Sequence, residues 1–257
     1  MRRIFATLGI IALCAMVLTG AGKKEAAAPV TLNVFAAASL TEALNEIAEL
    51  YQKTAPSVTL SFNFNSSGTL QTQIENGAEA DLFLSAGQRQ MNALAGSYID
   101  DSTRKDLLVN SVVLVVPKGS TKGISSFQDC LTPKVSLMAL GNADVPVGQY
   151  SEEIFKFLNG WDIVRAKASL GTNVKEVLSQ VESGSVDCGV VYSTDAATAK
   201  NVTVVAGAPE GSHQPVVYPA AVVKNSPNAQ AAKAFLDYLS SPAAVAVFDK
   251  IGFTVVK

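Results

Sequence analysis

Serines and small residues stand where apolar, strand-like runs give way to helical spacing. In VFAAASLTE (34–42) the alternation of Leu32 and Val34 stops at three alanines and Ser39; Leu40, Ala43, Leu44 and Ile47 then follow at helical intervals. Ser39 and Glu42 have the S-x-x-E spacing of a capping box. VTLSFNF (58–64) alternates as a strand and runs into Asn65-Ser66-Ser67-Gly68 before a helical pattern through Leu70 and Ile74. Two later junctions repeat the arrangement. VSLMAL (135–140) passes through GNADVPVG into a helix from about residue 149, and 166–170 pass through Gly171-Thr172-Asn173 into a helix over 174–182. VDCGVVY (186–192) is a further strand, ending in Tyr192. A helix that starts at a strand's end leaves its first N–H groups unpaired and aims the positive end of its dipole beyond the strand. With a hydroxyl beside it, such an end suits a compact anion. One junction needs no explanation beyond capping; four in one chain argue for convergence.

The elements that must position these junctions alternate. Strand, helix, strand, helix, strand (81–85) and a helix near 88–94 predict a parallel α/β sheet. SVVLVV (111–116) opens a second α/β series. VVYPAAVV (216–223) carries Pro219, which reads better as a connecting strand than a central one because proline cannot donate to a ladder. Helices at 229–239 and 242–250 and a closing 253–256 complete the chain. The expected architecture is two parallel-sheet α/β lobes joined by two crossing strands, near 111–116 and 216–223, with a ligand cleft between them. Lobe I takes 31–112 and 221–257, lobe II 113–220.

Of 257 residues, 48% are hydrophobic and 16% charged, enough for full cores. The net charge of −2 gives no reason to expect a nucleic-acid partner. With His213 the sole histidine and no G-x-S-x-G, H-E-x-x-H or C-x-x-C, neither a catalytic triad nor a histidine metal centre is expected. No enzymatic activity and no cofactor are predicted. Arg2-Arg3 followed by an apolar run to Leu18 reads as a secretory signal over 1–21, with 22–30 a flexible tether. Leu18-Thr19-Gly20 opens like a lipobox, but Ala21 stands where the lipidated cysteine would be. The mature protein is expected in the periplasm or at the cell surface, and its ancestor could have been a lipoprotein. Cys130 and Cys188 then remain, either bridged or as two buried thiols.

Taken together, VFAAASLTEAL, NSSGTL, ADLFLSA, DVPVGQY, GVVYSTDA and the terminal GFTVV resemble the molybdate-binding proteins of bacterial ABC-type importers over essentially 31–257. That resemblance implies the two-lobed type II periplasmic-binding fold and an oxyanion held by neutral donors from both lobes. The implied ligand is molybdate, with tungstate beside it, and the implied partners are the importer's permease subunits, served by a monomeric receptor. Position by position, it implies hydroxyl and backbone donation from Ser39 and Ser67, with Ser66 the adjacent alternative. It implies backbone donation from Val147, where a smaller residue is usual, and from Val174, and hydroxyl donation from Tyr192. Molybdenum would be held only as its oxyanion, with no direct protein ligand. Sulfate or a small organic anion in the same fold is the alternative.

Overall fold

The computed structural model describes residues 29–256. The expected leader, and the tether up to residue 28, lie outside the described residues; Val30, expected to end the tether, already opens the first strand. Strand β1 (Val30–Ala37) passes through a 3-10 turn (Ala38–Leu40) into α1 (Thr41–Thr54), followed by β2 (Val58–Asn65), α2 (Ser67–Glu75), β3 (Leu82–Leu84), α3 (Gln88–Leu94) and β4 (Lys105–Asn110). The second series is β5 (Val112–Pro117), β6 (Met138–Gly141), α4 (Pro146–Phe157), α5 (Trp161–Arg165), β7 (Ala168–Gly171), α6 (Val174–Glu182), β8 (Cys188–Tyr192), α7 (Ser193–Thr198) and β9 (Val202–Gly207). The chain ends with β10 (Val216–Val222), α8 (Ala229–Tyr238), α9 (Pro242–Ile251) and β11 (Thr254–Val255).

These strands form two sheets, ordered β11-β4-β10-β3-β1-β2 and β7-β6-β8-β5-β9. Each, with its covering helices, is one lobe. The expected parallel pairing holds for β2, β1 and β3 in the first and for β7, β6 and β8 in the second. Antiparallel pairing completes both: β10 with β3 and β4, and β11 with β4, in one; β5 with β8 and β9 in the other. Both sheets are therefore mixed rather than purely parallel.

β10 overturns the expectation from Pro219. It lies inside the first sheet, between β4 and β3, and the β4 pairing shifts register between Tyr218 and Pro219. The irregularity absorbs the missing N–H, while the Pro219 carbonyl still accepts from Ser85 N–H at 2.9 Å. Residues 216–220, expected in the second lobe, already pair with β4, so the chain crosses between sheets at Ser111 and again between β9 and β10. Buried leucine, isoleucine, valine and phenylalanine fill the space between each sheet and its helices.

The lobes are in contact. Gly68 N–H of α2 donates to the Asp144 carbonyl just ahead of α4 at 3.0 Å, and Gln90 Nε2 of α3 donates to Gln149 Oε1 of α4 at 3.2 Å. A Cβ on Gly68 would fall 2.4 Å from that Asp144 oxygen, so only glycine permits this approach.

Candidate functional site

Parallel strands fed by short turns leave their carboxyl ends facing the helix starts, and in α/β folds that edge is where ligands sit. Here the carboxyl ends of β1 and β2, the turn after β3, and the starts of α4 and α6 enclose a small cavity of about 10 Å³. Ser39, Ser66, Ser67, Val174 and Tyr192 line it, together with Ala86, Val145 and Pro146. Every lining residue is uncharged. A wider groove of about 550 Å³ runs past Arg89, Tyr150 and Glu153, but none of the five expected residues lines it.

Ser39 corrects its expected local role. It lies inside the 3-10 turn, the N-cap position of α1 is Leu40, and no side chain caps that helix. The Ser39 hydroxyl instead meets Tyr218 Oη at 2.9 Å. Freed from capping, it faces the cavity.

The two serines of NSSGTL divide their work. Ser66 is the N-cap of α2, its Oγ accepting from Thr69 N–H at 3.1 Å. Ser67, the first helical residue and 1% exposed, accepts from Ala86 N–H at 2.9 Å. Its own proton is thereby left to point elsewhere, and its N–H has no partner within the helix.

Val147 does not line the cavity; its side chain is fully buried within its own lobe. Pro146, at the first position of α4, has no N–H, so the first backbone donor this helix end offers is that of Val147. At the fourth junction Asn173 caps α6 by accepting from Glu176 N–H at 3.1 Å, which places Val174 at the first helical position on the cavity wall.

Tyr192 ends β8 and is 1% exposed. Its hydroxyl crosses to the other lobe, donating to the Ala86 carbonyl at 3.4 Å, a long bond that a stronger acceptor in the cavity would displace. Burial, then the adjacent Tyr218, holds the Tyr192 phenol well above its usual range, so it stays a neutral O–H donor. Asn65 and Ala86, not foreseen from the sequence, complete the wall; Ala86 follows the ADLFLS segment, the one signal that placed a strand end there.

Helix ends, backbone N–H groups and three hydroxyls, drawn from both lobes and shut away from water, are an arrangement for holding a small solute. A family model for bacterial extracellular solute-binding proteins matches residues 32–254. The chain belongs to that family. It is a solute-binding protein, not an enzyme. Among relatives, it is 43% identical over 229 residues to the Bacillus subtilis protein YvgL, a substrate-binding lipoprotein of an ABC transporter by its name; the match covers 88% of this chain and 86% of YvgL. It is 42% identical over 231 residues to the molybdate-binding protein ModA of Escherichia coli, covering 87% of this chain and 89% of ModA. Among solved structures, a substrate-binding domain assigned to a molybdenum ABC transporter of Clostridium difficile superposes with a TM-score of 0.67 at 40% identity, over 89% of this chain and 100% of that one. The two-lobed binding fold and the extracellular setting expected from the residues agree with these likenesses. No helix among the described residues is long and apolar enough to cross a membrane.

Proposed function

We propose that this protein captures molybdate, and tungstate with it, in the cavity between its lobes and delivers it as a monomer to the permease of an ABC importer. One observation carries the reading. The hydroxyls of Ser39, Ser67 and Tyr192 and the starts of α2, α4 and α6 gather around a single uncharged cavity. Unpaired helix N–H groups and neutral hydroxyls stabilise a dianion without a counter-charge, because each donates toward the oxygens and the helix dipoles add to the same sign. The name of the 42% identical relative supports molybdate as the ligand, and that of the 43% identical one supports an ABC transporter as the destination.

Calorimetric titration with molybdate, tungstate, sulfate and phosphate tests it. The expected result is one site per chain, with molybdate and tungstate bound more tightly than sulfate and phosphate. Sulfate binding as tightly as molybdate, or no oxyanion binding at all, overturns it.

A further inference from the structure

The Ser39 hydroxyl hydrogen-bonds Tyr218, a residue that does not line the cavity. The chain of hydrogen bonds starts at Ser111, where the polypeptide crosses between sheets. Its backbone N–H, which can only donate, bonds Asn110 Oδ1 at 2.9 Å, and Ser193 Oγ donates to the same oxygen at 2.9 Å. That fixes which end of the amide is which. Asn110 Nδ2 therefore faces Thr194 Oγ1 at 2.9 Å and Tyr218 Oη at 3.2 Å.

An amide nitrogen carries protons and no lone pair to offer, so Tyr218 Oη accepts from it; of the two hydroxyls 2.9 Å apart, either of which can donate, Tyr218 is thereby biased to send its proton to Ser39 Oγ. With Tyr218 donating, Ser39 accepts, and among the described residues its Oγ has no other partner. Its own proton is free for the cavity that it lines. Ser67 reaches the same state by a separate route, because the Ala86 N–H at 2.9 Å occupies its oxygen. Tyr218 is 1% exposed and Ser39 4%.

We propose that Tyr218, set by Asn110, is a positioning residue that makes Ser39 a donor into the cavity, and that this polarity selects oxyanions whose oxygens carry no proton. The inference rests on the oxyanion reading of the site and adds a source of its selectivity. Molybdate and sulfate present only acceptors near neutral pH. Hydrogen phosphate presents one O–H, and a site of donors alone leaves that proton without a partner at a cost of roughly 1–3 kcal/mol, about five- to 150-fold. Hydrogen phosphate and molybdate are both dianions at mildly alkaline pH, so their affinity ratio cancels changes in local charge and isolates the proton.

The test uses the whole chain and two variants. Tyr218→Phe removes the proton that Ser39 accepts. Asn110→Asp replaces the donor by an acceptor, so that Tyr218 donates to the carboxylate, Ser39 donates to Tyr218, and a serine lone pair turns to the cavity. Molybdate and hydrogen phosphate affinities are measured by calorimetry, phosphate in competition where it is weak. In both variants the molybdate-to-phosphate ratio is expected to fall about tenfold or more. If both anions weaken by the same factor, Tyr218 is a packing residue and the proposal fails. Asn110→Asp keeps the side chain's shape, so it carries the test should Tyr218→Phe fold poorly. A parent protein that binds neither anion overturns the oxyanion reading itself.

Discussion

Lys175, at the start of α6, lies 2.8 Å from Glu42 of α1 on the opposite lobe. The same ammonium lies 2.9 Å from Asp195, whose side chain is fully buried. One lysine thus ties the lobes together immediately beside Val174 while neutralising a carboxylate that burial would otherwise discharge. Burial alone would lower the Lys175 pKa, but the charges of Asp195 and Glu42 outweigh it and hold it raised.

Lys175→Met should destabilise the protein by about 3 kcal/mol at neutral pH, because it strands a buried carboxylate. The sign with pH follows from Asp195, whose pKa is raised above its usual value chiefly by burial. A group that binds its proton more tightly when folded loses stability as pH rises from its unfolded to its folded value. The deficit of the variant should therefore shrink in mildly acid solution, where Asp195 takes up a proton instead. Urea unfolding at neutral and acid pH reads this; a deficit independent of pH would contradict it.

Ser67→Ala and Ser39→Ala should each weaken molybdate binding about ten- to a hundredfold, through the loss of one hydrogen bond to a charged group. Ser66→Ala should behave differently. It removes the cap of α2 and costs about 1 kcal/mol of stability, with the smaller effect on affinity. Paired calorimetry and thermal melts on the three variants distinguish the two roles, and equal effects on binding at Ser66 and Ser67 would refute the division.

Gly68→Ala should prop the lobes apart. Its new methyl would meet the Asp144 carbonyl oxygen of the other lobe at 2.4 Å, and its three nearest atoms all belong to that residue. The expected outcome is affinity reduced at least about tenfold, a near-normal melting temperature without ligand, and a scattering profile that no longer contracts on adding molybdate. A variant that closes and binds like the parent would show that the lobes meet elsewhere.

Cys130 and Cys188 resolve the pairing left open by sequence in favour of two thiols, free and buried with their sulfurs 3.9 Å apart. The Cys130 sulfur beside it and burial push the Cys188 thiol up, which keeps it protonated and unreactive in the folded protein. Both should react with a thiol reagent once the chain is unfolded without reductant, and neither before. Recovery of a peptide joined through these two residues would contradict the structure.

Much of the site could be read in the sequence because its donors sit at strand-to-helix turns, which announce themselves locally. Asn173 before Val174 and the helix over 174–182 needed only cap spacing. Ser39 reads as a cap from spacing alone because S-x-x-E carries no information on whether a 3-10 turn precedes the helix. β4, reading KDLLVN, escaped notice because its residues do not alternate; its place is set by β10 on one side and β11 on the other. β9 escaped because it is an edge strand following a short helix, with Val204 half exposed where a core strand would bury it. Tyr218 and Asn110 could not be found from spacing at all. They are 108 residues apart, and Tyr218 is 179 from Ser39, so only the folded sheet brings the three together.

The cavity of about 10 Å³ is walled by residues such as Ser67 and Tyr192, each 1% exposed, and this bears on time as much as on affinity. For an anion held there as proposed, parting of the lobes would widen the way out. Its residence would then be timed by the rupture of contacts it never makes: Gly68 with Asp144, Gln90 with Gln149, and Lys175 with Glu42. Equilibrium and kinetics would then fall to different residues, the serines and helix starts governing how much anion is held and the rim governing how long. A membrane partner that gripped the two lobes and drew them apart could empty the site quickly without competing for a single donor within it.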